Sequence, residues 1–311
     1  MVLPIISIKN FSKSFGGTKA VASLDLEVEK GELFGLIGPD GAGKTTTIRT
    51  LVTLISPDSG EIFVNNLDVK KDIRKIRSIT GYMPQRFSLY PDLSVNQNLV
   101  FFANLFDVPK KEIAERKKRL FQFSNLEPFA GRLAGQLSGG MKQKLALSCT
   151  LIHNPVVLIL DEPTTGVDPV SRNEFWTILK ELKKEGVTIL VSTPYMDEAV
   201  KCDRVAIMHE GMVLARGKPE TMTASFENRI YKLAGQDLIK HINSIALIPG
   251  ILSVQSFGDS LHLTLPVNLA KEDVREKIEN ILGRSFQMEP VEPSLEDLFI
   301  ALIEGKSRNG N

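Results

Sequence analysis

Two hydrophobic rhythms alternate along the chain. Residues 5–9 and 24–28 follow period two, apolar against polar, and predict antiparallel strands punctuated by the turns Gly16-Gly17 and Lys30-Gly31. The stretch LFGLIGPDGAGKTTTIRTLVTLI, residues 33–55, reads as a continuous apolar strand, a Gly-rich turn and a helix, closed by SPDSG. Residues 92–153 read almost wholly as helix: LSVNQNLVFFANLF, a charged amphipathic run from Lys110 to Phe123, and a further helix after a Ser-Gly-Gly triplet. Within it the spacing of Phe101, Phe102 and Phe106 fits a buried helix face better than a contact surface. Asn154-Pro155 breaks the run, and VVLILDE follows as a buried parallel strand. A helix to about Glu185, a strand at 188–191 and another helix complete the pattern. In VSTPYMDEA, residues 191–199, Pro194 stands as the first helical residue, Thr193 as its cap, and Asp197 and Glu198 at the positive end of the dipole. Buried strands alternating with helices predict a doubly wound α/β domain carrying a helical insertion.

The rhythm changes near residue 219. ILSVQSFGDSLHLTLP forms two alternating strands around a Gly-Asp turn; a helix from Lys271 to Leu282, a strand SFQMEPV and a helix SLEDLFIALI follow. That β-β-α-β-α order predicts a small α+β domain over 219–304, with a disordered tail at 305–311.

Three motifs carry chemistry. Gly38-Pro39-Asp40-Gly41-Ala42-Gly43-Lys44-Thr45-Thr46 matches a phosphate-binding loop in the strand-to-helix context that this function requires. Its glycines let backbone N–H groups crowd around phosphates, Lys44 reaches the β- and γ-phosphates, and the Thr45 hydroxyl can ligate Mg²⁺. Asp161, ending a buried strand, can stand beside that magnesium, and Glu162 can act as general base toward water. Leu137-Ser138-Gly139-Gly140-Met141 opens a helix with an anion-binding geometry. One nucleotide does not need two such helix ends from one chain, whereas two chains facing head to tail would use one from each.

With these motifs over residues 3–218, the chain resembles an ATP-binding cassette (ABC) transporter ATPase subunit. The resemblance implies a P-loop NTPase cassette: a parallel-sheet core, an antiparallel N-terminal sheet and the helical insertion, within a domain spanning 1–218. It implies ATP and Mg²⁺ as cofactors, the latter held by Thr45, Gln85 and Asp161, and Glu162, Gln85 and Lys44 as catalytic residues. Phe15 corresponds to the aromatic that stacks on adenine, although it fits the core of the first sheet as well. Leu137–Met141 would serve the facing subunit's nucleotide, and Asp168 would communicate across the dimer. The family carries a histidine where this chain has Pro194, so the γ-phosphate contact made there is missing. PSLEDLFIAL, residues 293–302, resembles the ending of drug- and antibiotic-exporter subunits. The implied partners are a second ABC ATPase subunit, the same chain or another, and integral membrane permease subunits. The implied location is cytoplasmic and peripheral, on the inner face of the membrane. A non-hydrolysing regulatory partner and a soluble non-transport ABC ATPase are the alternatives.

Composition narrows these readings. A net charge of +1 gives no basic field for nucleic acid. No apolar run approaches the ~18–20 residues that span a bilayer, so a membrane role must pass through a partner. Cys149 and Cys202 lie in apolar or helical contexts and read as reduced thiols, not a disulfide.

Overall fold

The computed structural model describes residues 4–309, with side chains through residue 304. The chain divides into two compact units, Met1–Lys218 and Pro219–Asn311.

In the first unit the opening strands β1 (Ile6–Phe15) and β2 (Thr18–Val28) form a long antiparallel hairpin. β3 (Leu33–Ile37) leads through the Gly-rich loop into α1 (Lys44–Leu51). β4 (Ser59–Val64) and β5 (Leu67–Asp68) complete a four-stranded antiparallel sheet in the order β2-β1-β4-β5. α2 (Ile73–Ile79) and β6 (Thr80–Met83) precede the helical insertion of α3 (Val95–Leu105), α4 (Lys110–Ser124) and α5 (Gly139–Leu151). β7 (Val157–Asp161), α6 (Pro169–Lys184), β8 (Thr188–Thr193), α7 (Met196–Ala199), β9 (Arg204–His209) and β10 (Met212–Gly217) follow.

The second sheet runs β10-β9-β3-β8-β7-β6, parallel except for the edge strand β10. Every residue of β3, β7 and β8 is buried, which explains why these strands lack polar alternation: both faces are covered. Full burial of each aliphatic side chain is worth about 1.5–3 kcal/mol. One apolar core joins the sheets, with Phe11, Leu24 and Leu26 from the hairpin meeting Phe34, Leu36, Ile48 and Leu51. The register places Ile37 beside Thr193, Asp161 beside Ser192, and Leu160 beside Met83. The C-terminal ends of four parallel strands therefore line one edge, where α/β sheets bind ligands.

The insertion is less helical than its pattern predicts. Asn125 ends α4 in the left-handed region (φ 57), and residues 125–138 contain two short 3-10 turns, Glu127–Phe129 and Ala134–Gln136. The phenylalanines also depart from the core assignment: Phe101 is exposed and Phe102 and Phe106 are half-buried. α3 instead buries Val95, Asn98, Leu99 and Ala103. A capping box starts α3, with Ser94 Oγ accepting from the Gln97 N–H (3.1 Å) and Gln97 Oε1 from the Ser94 N–H (2.8 Å). The buried Asn98 amide donates to the carbonyls of Tyr90, Leu93 and Ser94, and its oxygen accepts from the Tyr90 N–H. These bonds fix the segment that connects Gln85 to α3.

The helix after β8 is a single turn beginning at Met196, so Pro194 is not its first residue. Thr193 remains in the strand; its hydroxyl accepts from the Tyr195 N–H at 3.1 Å and closes a side-chain turn instead of capping a helix.

The second unit contains α8 (Pro219–Ala224), β11 (Arg229–Ala234), α9 (Ile242–Ala246), β12 (Ser253–Phe257), β13 (Ser260–Leu265), α10 (Lys271–Leu282), β14 (Gln287–Val291) and α11 (Leu295–Asn309). Its sheet order is β12-β13-β11-β14, all antiparallel, which is the β-α-β-β-α-β ferredoxin-like arrangement. The sequence pattern misses β11 and α9, because RIYKLA carries two cations and α9 is only five residues long. Pro290 is tolerated because β14 is an edge strand, paired with β11 alone. α11 is helical to Asn309, past the expected start of the tail, since one glycine costs a helix only about 1 kcal/mol. Residues 310–311 of that tail lie outside the described residues.

Candidate functional site

The Gly-rich loop forms because two glycines sit where no side chain fits. At Gly38 (φ 153) a Cβ would lie 2.1 Å from the Met208 carbonyl oxygen, and at Gly43 (φ 102) 2.6 Å from that of Ala20. Asp40 and Gly41 form the exposed tip, Ala42 is buried, and the Ala42 N–H donates to the Pro39 carbonyl at 3.2 Å. Thr46 is half-buried in the first turn of α1, its carbonyl accepting from the Thr50 hydroxyl at 2.9 Å.

Lys44 is 3% exposed, and its ammonium donates to the carbonyls of Gly38 (2.7 Å) and Pro39 (3.0 Å). It also pairs with Glu162 Oε1 at 3.1 Å. Gln85 Nε2 donates to Glu162 Oε2 at 2.8 Å, and the Thr165 hydroxyl reaches the same oxygen at 3.4 Å. Of the three residues assigned catalysis, Lys44 and Gln85 therefore converge on the carboxylate of the third, Glu162. Glu162 itself has φ 48, a left-handed conformation that costs a non-glycine residue about 1–3 kcal/mol. Its N–H is held by Ser192, through the hydroxyl at 3.0 Å and the carbonyl at 3.2 Å.

Beside this cluster, Asp161 Oδ1 accepts from the hydroxyls of Thr45 (3.1 Å) and Ser192 (2.8 Å). Burial raises the Asp161 pKa above the ordinary carboxylate value, with those two hydrogen bonds opposing and the neighbouring Glu162 charge reinforcing. Sequence reasoning missed the role of Ser192. The available signal was a hydroxyl following an apolar run in a fully buried strand, where a polar group must find a partner.

Phe15 ends β1 with 50% of its surface exposed and the Lys13 ammonium 5.4 Å from its ring centre. It is no core residue, and the ring is open to a planar ligand. Ser138 caps α5 by accepting from the Met141 N–H at 3.3 Å; Leu137 is buried and Met141 half-buried. Gly139 and Gly140 turn toward the α6 side: a Cβ on Gly139 would come 3.8 Å from the Gly166 oxygen, and on Gly140 2.3 Å from Ser171 Oγ. Asp168 caps α6 by accepting from the Ser171 N–H at 2.9 Å, and that bond holds its carboxyl below the usual range.

Pro194 is half-buried after β8 and has no side-chain donor. His209 ends β9, on the far side of β3 from β8. Glu198, at the start of α7, is fully buried. No helix among the described residues is long and apolar enough to cross a membrane.

The ABC transporter family signature matches residues 21–165. The chain is 40% identical over 306 residues to the probable multidrug ABC transporter ATP-binding protein YbhF of Escherichia coli, covering 97% of this chain and 52% of that protein. It thus spans about half the length of that relative. The Nod factor export ATP-binding protein I of Rhizobium etli is 32% identical over 97% of this chain and 94% of its own. Among solved structures, cbiO1 of Clostridium perfringens, part of the ABC transporter complex cbiONQ, superposes with a TM-score of 0.66 at 29% identity, covering 79% of this chain and 96% of that one. A dimeric ATP-binding cassette, MJ0796, in a post-hydrolysis state bound to ADP and Pi, gives 0.63 at 27% identity over 68% and 98%. Shared sequence, shared fold and the convergence of Lys44, Gln85, Asp161 and Glu162 on one sheet edge agree: the chain belongs to the ATP-binding proteins of ABC transporters.

Proposed function

We propose that this chain is the ATP-binding and ATP-hydrolysing subunit of an exporter-type ABC transporter, driving a separate membrane permease. The observation that carries this reading is the Lys44–Glu162–Gln85 cluster, in which a phosphate-loop cation and an amide hold one strained, buried carboxylate. When a triphosphate enters, Lys44 exchanges the Gly38 and Pro39 carbonyls for phosphate oxygens. Glu162, released from that cation, accepts a proton from the attacking water while Gln85 orients the two. The donor set fits magnesium: the Thr45 hydroxyl, the Asp161 carboxylate and the Gln85 amide oxygen are the hard ligands this cation takes. Bound there, the ion would neutralise charge on the phosphates. Phe15 stacks on adenine, Leu137–Met141 faces the nucleotide of a second ATPase subunit, and Asp168 lies in the interface between them.

The names of the multidrug and Nod factor export relatives support the exporter assignment. The permease docks on the cytoplasmic side against an exposed aromatic patch near Gln85, where Phe87, Tyr90 and Phe101 lie at the surface and the last two meet edge to face at 4.6 Å. Pro194 weakens turnover at the chain's own site without affecting nucleotide binding, because the position acts on the γ-phosphate alone.

Titration of Lys44→Ala and the native chain with a fluorescent ATP analogue tests the site. Loss of the charge-assisted phosphate contact weakens affinity by at least tenfold; equal affinities contradict the assignment.

A further inference from the structure

Glu198 has no place in the chemistry above, yet it is the most completely enclosed carboxylate in the nucleotide-binding unit, with 0% exposure. Three segments meet on it. Thr164, two residues after Glu162, donates its hydroxyl to Oε1 at 2.7 Å. Thr193, the last residue of β8 and the neighbour of Pro194, donates to Oε2 at 2.6 Å. Arg172, in the first turns of α6, donates Nε to Oε1 at 3.0 Å and lies 4.2 Å over the Tyr195 ring. Thr164 and Thr193 are themselves buried, at 1% and 0% exposure.

A single buried ion-paired carboxylate with both oxygens satisfied is a costly device compared with an apolar side chain of the same size. Here it ties together groups that apolar packing could not fix in direction. The loop carrying Glu162 and the strand end before Pro194 lie together at the sheet edge, where Asp161 pairs with Ser192 and Ile37 with Thr193. The third partner, Arg172, belongs to the helix that Asp168 caps, and its neighbour Ser171 abuts Gly140 of the signature helix α5. The carboxylate therefore bonds to both segments at this edge and to α6, which packs against the Ser-Gly-Gly helix α5.

We propose that Glu198 is a positioning residue that couples the γ-phosphate edge of the site to α6, and through Ser171 and Gly140 to the signature helix. This rests on the nucleotide site proposed above. Glu198 touches no nucleotide, so the coupling acts on turnover and on the response of α6, not on ATP affinity.

The test uses the full chain with three variants: Glu198→Ala, Glu198→Met, which fills the volume without hydrogen bonds, and Glu198→Gln, which retains acceptor and donor. Turnover under saturating MgATP falls about tenfold or more in the first two, Gln restores most of it, and ATP affinity stays within about twofold throughout. Met performing as well as Gln, or affinity falling in step with turnover, overturns the proposal. If the alanine and methionine variants do not fold, Thr164→Val and Thr193→Val each remove one hydroxyl and reduce turnover several-fold; unchanged rates in both overturn it. A second readout needs no hydrolysis. Trp176, the only tryptophan, is buried on α6 one turn beyond Arg172, so its emission reports on that helix. ATP alters this emission in the native chain and not in Glu198→Met; the same change in both, or none in either, overturns the coupling. Failure of the nucleotide site itself shows separately, as unimpaired ATP binding in Lys44→Ala.

Discussion

Pro194 follows Thr193, whose partner across β3 is Ile37, the last residue before the phosphate loop. A side chain at 194 therefore stands at the sheet edge that carries the phosphate loop, where the proposed site places the γ-phosphate, and proline offers neither a donor nor a proton there. Replacing it costs little locally, because α7 begins only at Met196 and the Thr193 hydroxyl holds the turn through the Tyr195 N–H. Pro194→His is expected to raise phosphate release by the purified chain several-fold, with ATP affinity unchanged. No increase in a folded variant means that another group already makes the contact. At this scale the motifs marked candidate residues but not how they hold one another. Lys44, Glu162 and Gln85 could be picked out because each sits in a local motif, and the structure brings them together. Ser192 and Glu198 were not: their partners Asp161, Thr164 and Arg172 are distant in sequence, and only strand register and helix packing bring them together.

Among the elements, those that pattern reveals best are the ones buried on both faces. Residues 33–37 and 157–160 are apolar throughout, and each run leads straight into its motif, so the sheet edge that carries the candidate site could be read directly. β11 and α9 were lost because a short strand with two cations and a five-residue helix give no period to read. The phenylalanines of α3 fit a helical stripe, but that helix buries Asn98 to anchor the preceding loop and turns Phe101 outward. α5 and α6 meet more closely than any pattern discloses. A Cβ on Gly140 would sit 2.3 Å from Ser171 Oγ and 2.5 Å from its Cβ, so Gly140→Ala forces the helices apart. Such overpacking is expected to cost about 1–3 kcal/mol, against a gain of at most about 1 kcal/mol in helix propensity. Urea unfolding of Gly140→Ala, Ser171→Gly and the double variant checks this. The double variant should be more stable than the two single effects predict when added, by about 1 kcal/mol or more; simple additivity would show that the helices do not meet at this point.

The whole molecule comprises a nucleotide-binding unit and a ferredoxin-like unit with its own core, in which Tyr231, Leu233, Leu261 and Leu263 pack under α9 and α10. Two units were legible from the change of hydrophobic rhythm near residue 219, whereas the pairing of β11 between β13 and β14 depends on contacts too distant for period to record. The central claim is that the carboxylate held by Lys44 and Gln85 is the base for ATP hydrolysis. Glu162→Gln keeps the size and the hydrogen bond to Gln85 while removing the group that takes the proton. The direct measurement is phosphate release from saturating MgATP by the native full chain and by Glu162→Gln, alongside ATP affinity for each. Affinity is expected to stay within about twofold and turnover to fall by about a hundredfold or more, the scale set by losing a positioned general base. Turnover in Glu162→Gln equal to that of the native chain, or no phosphate release by the native chain, would contradict it.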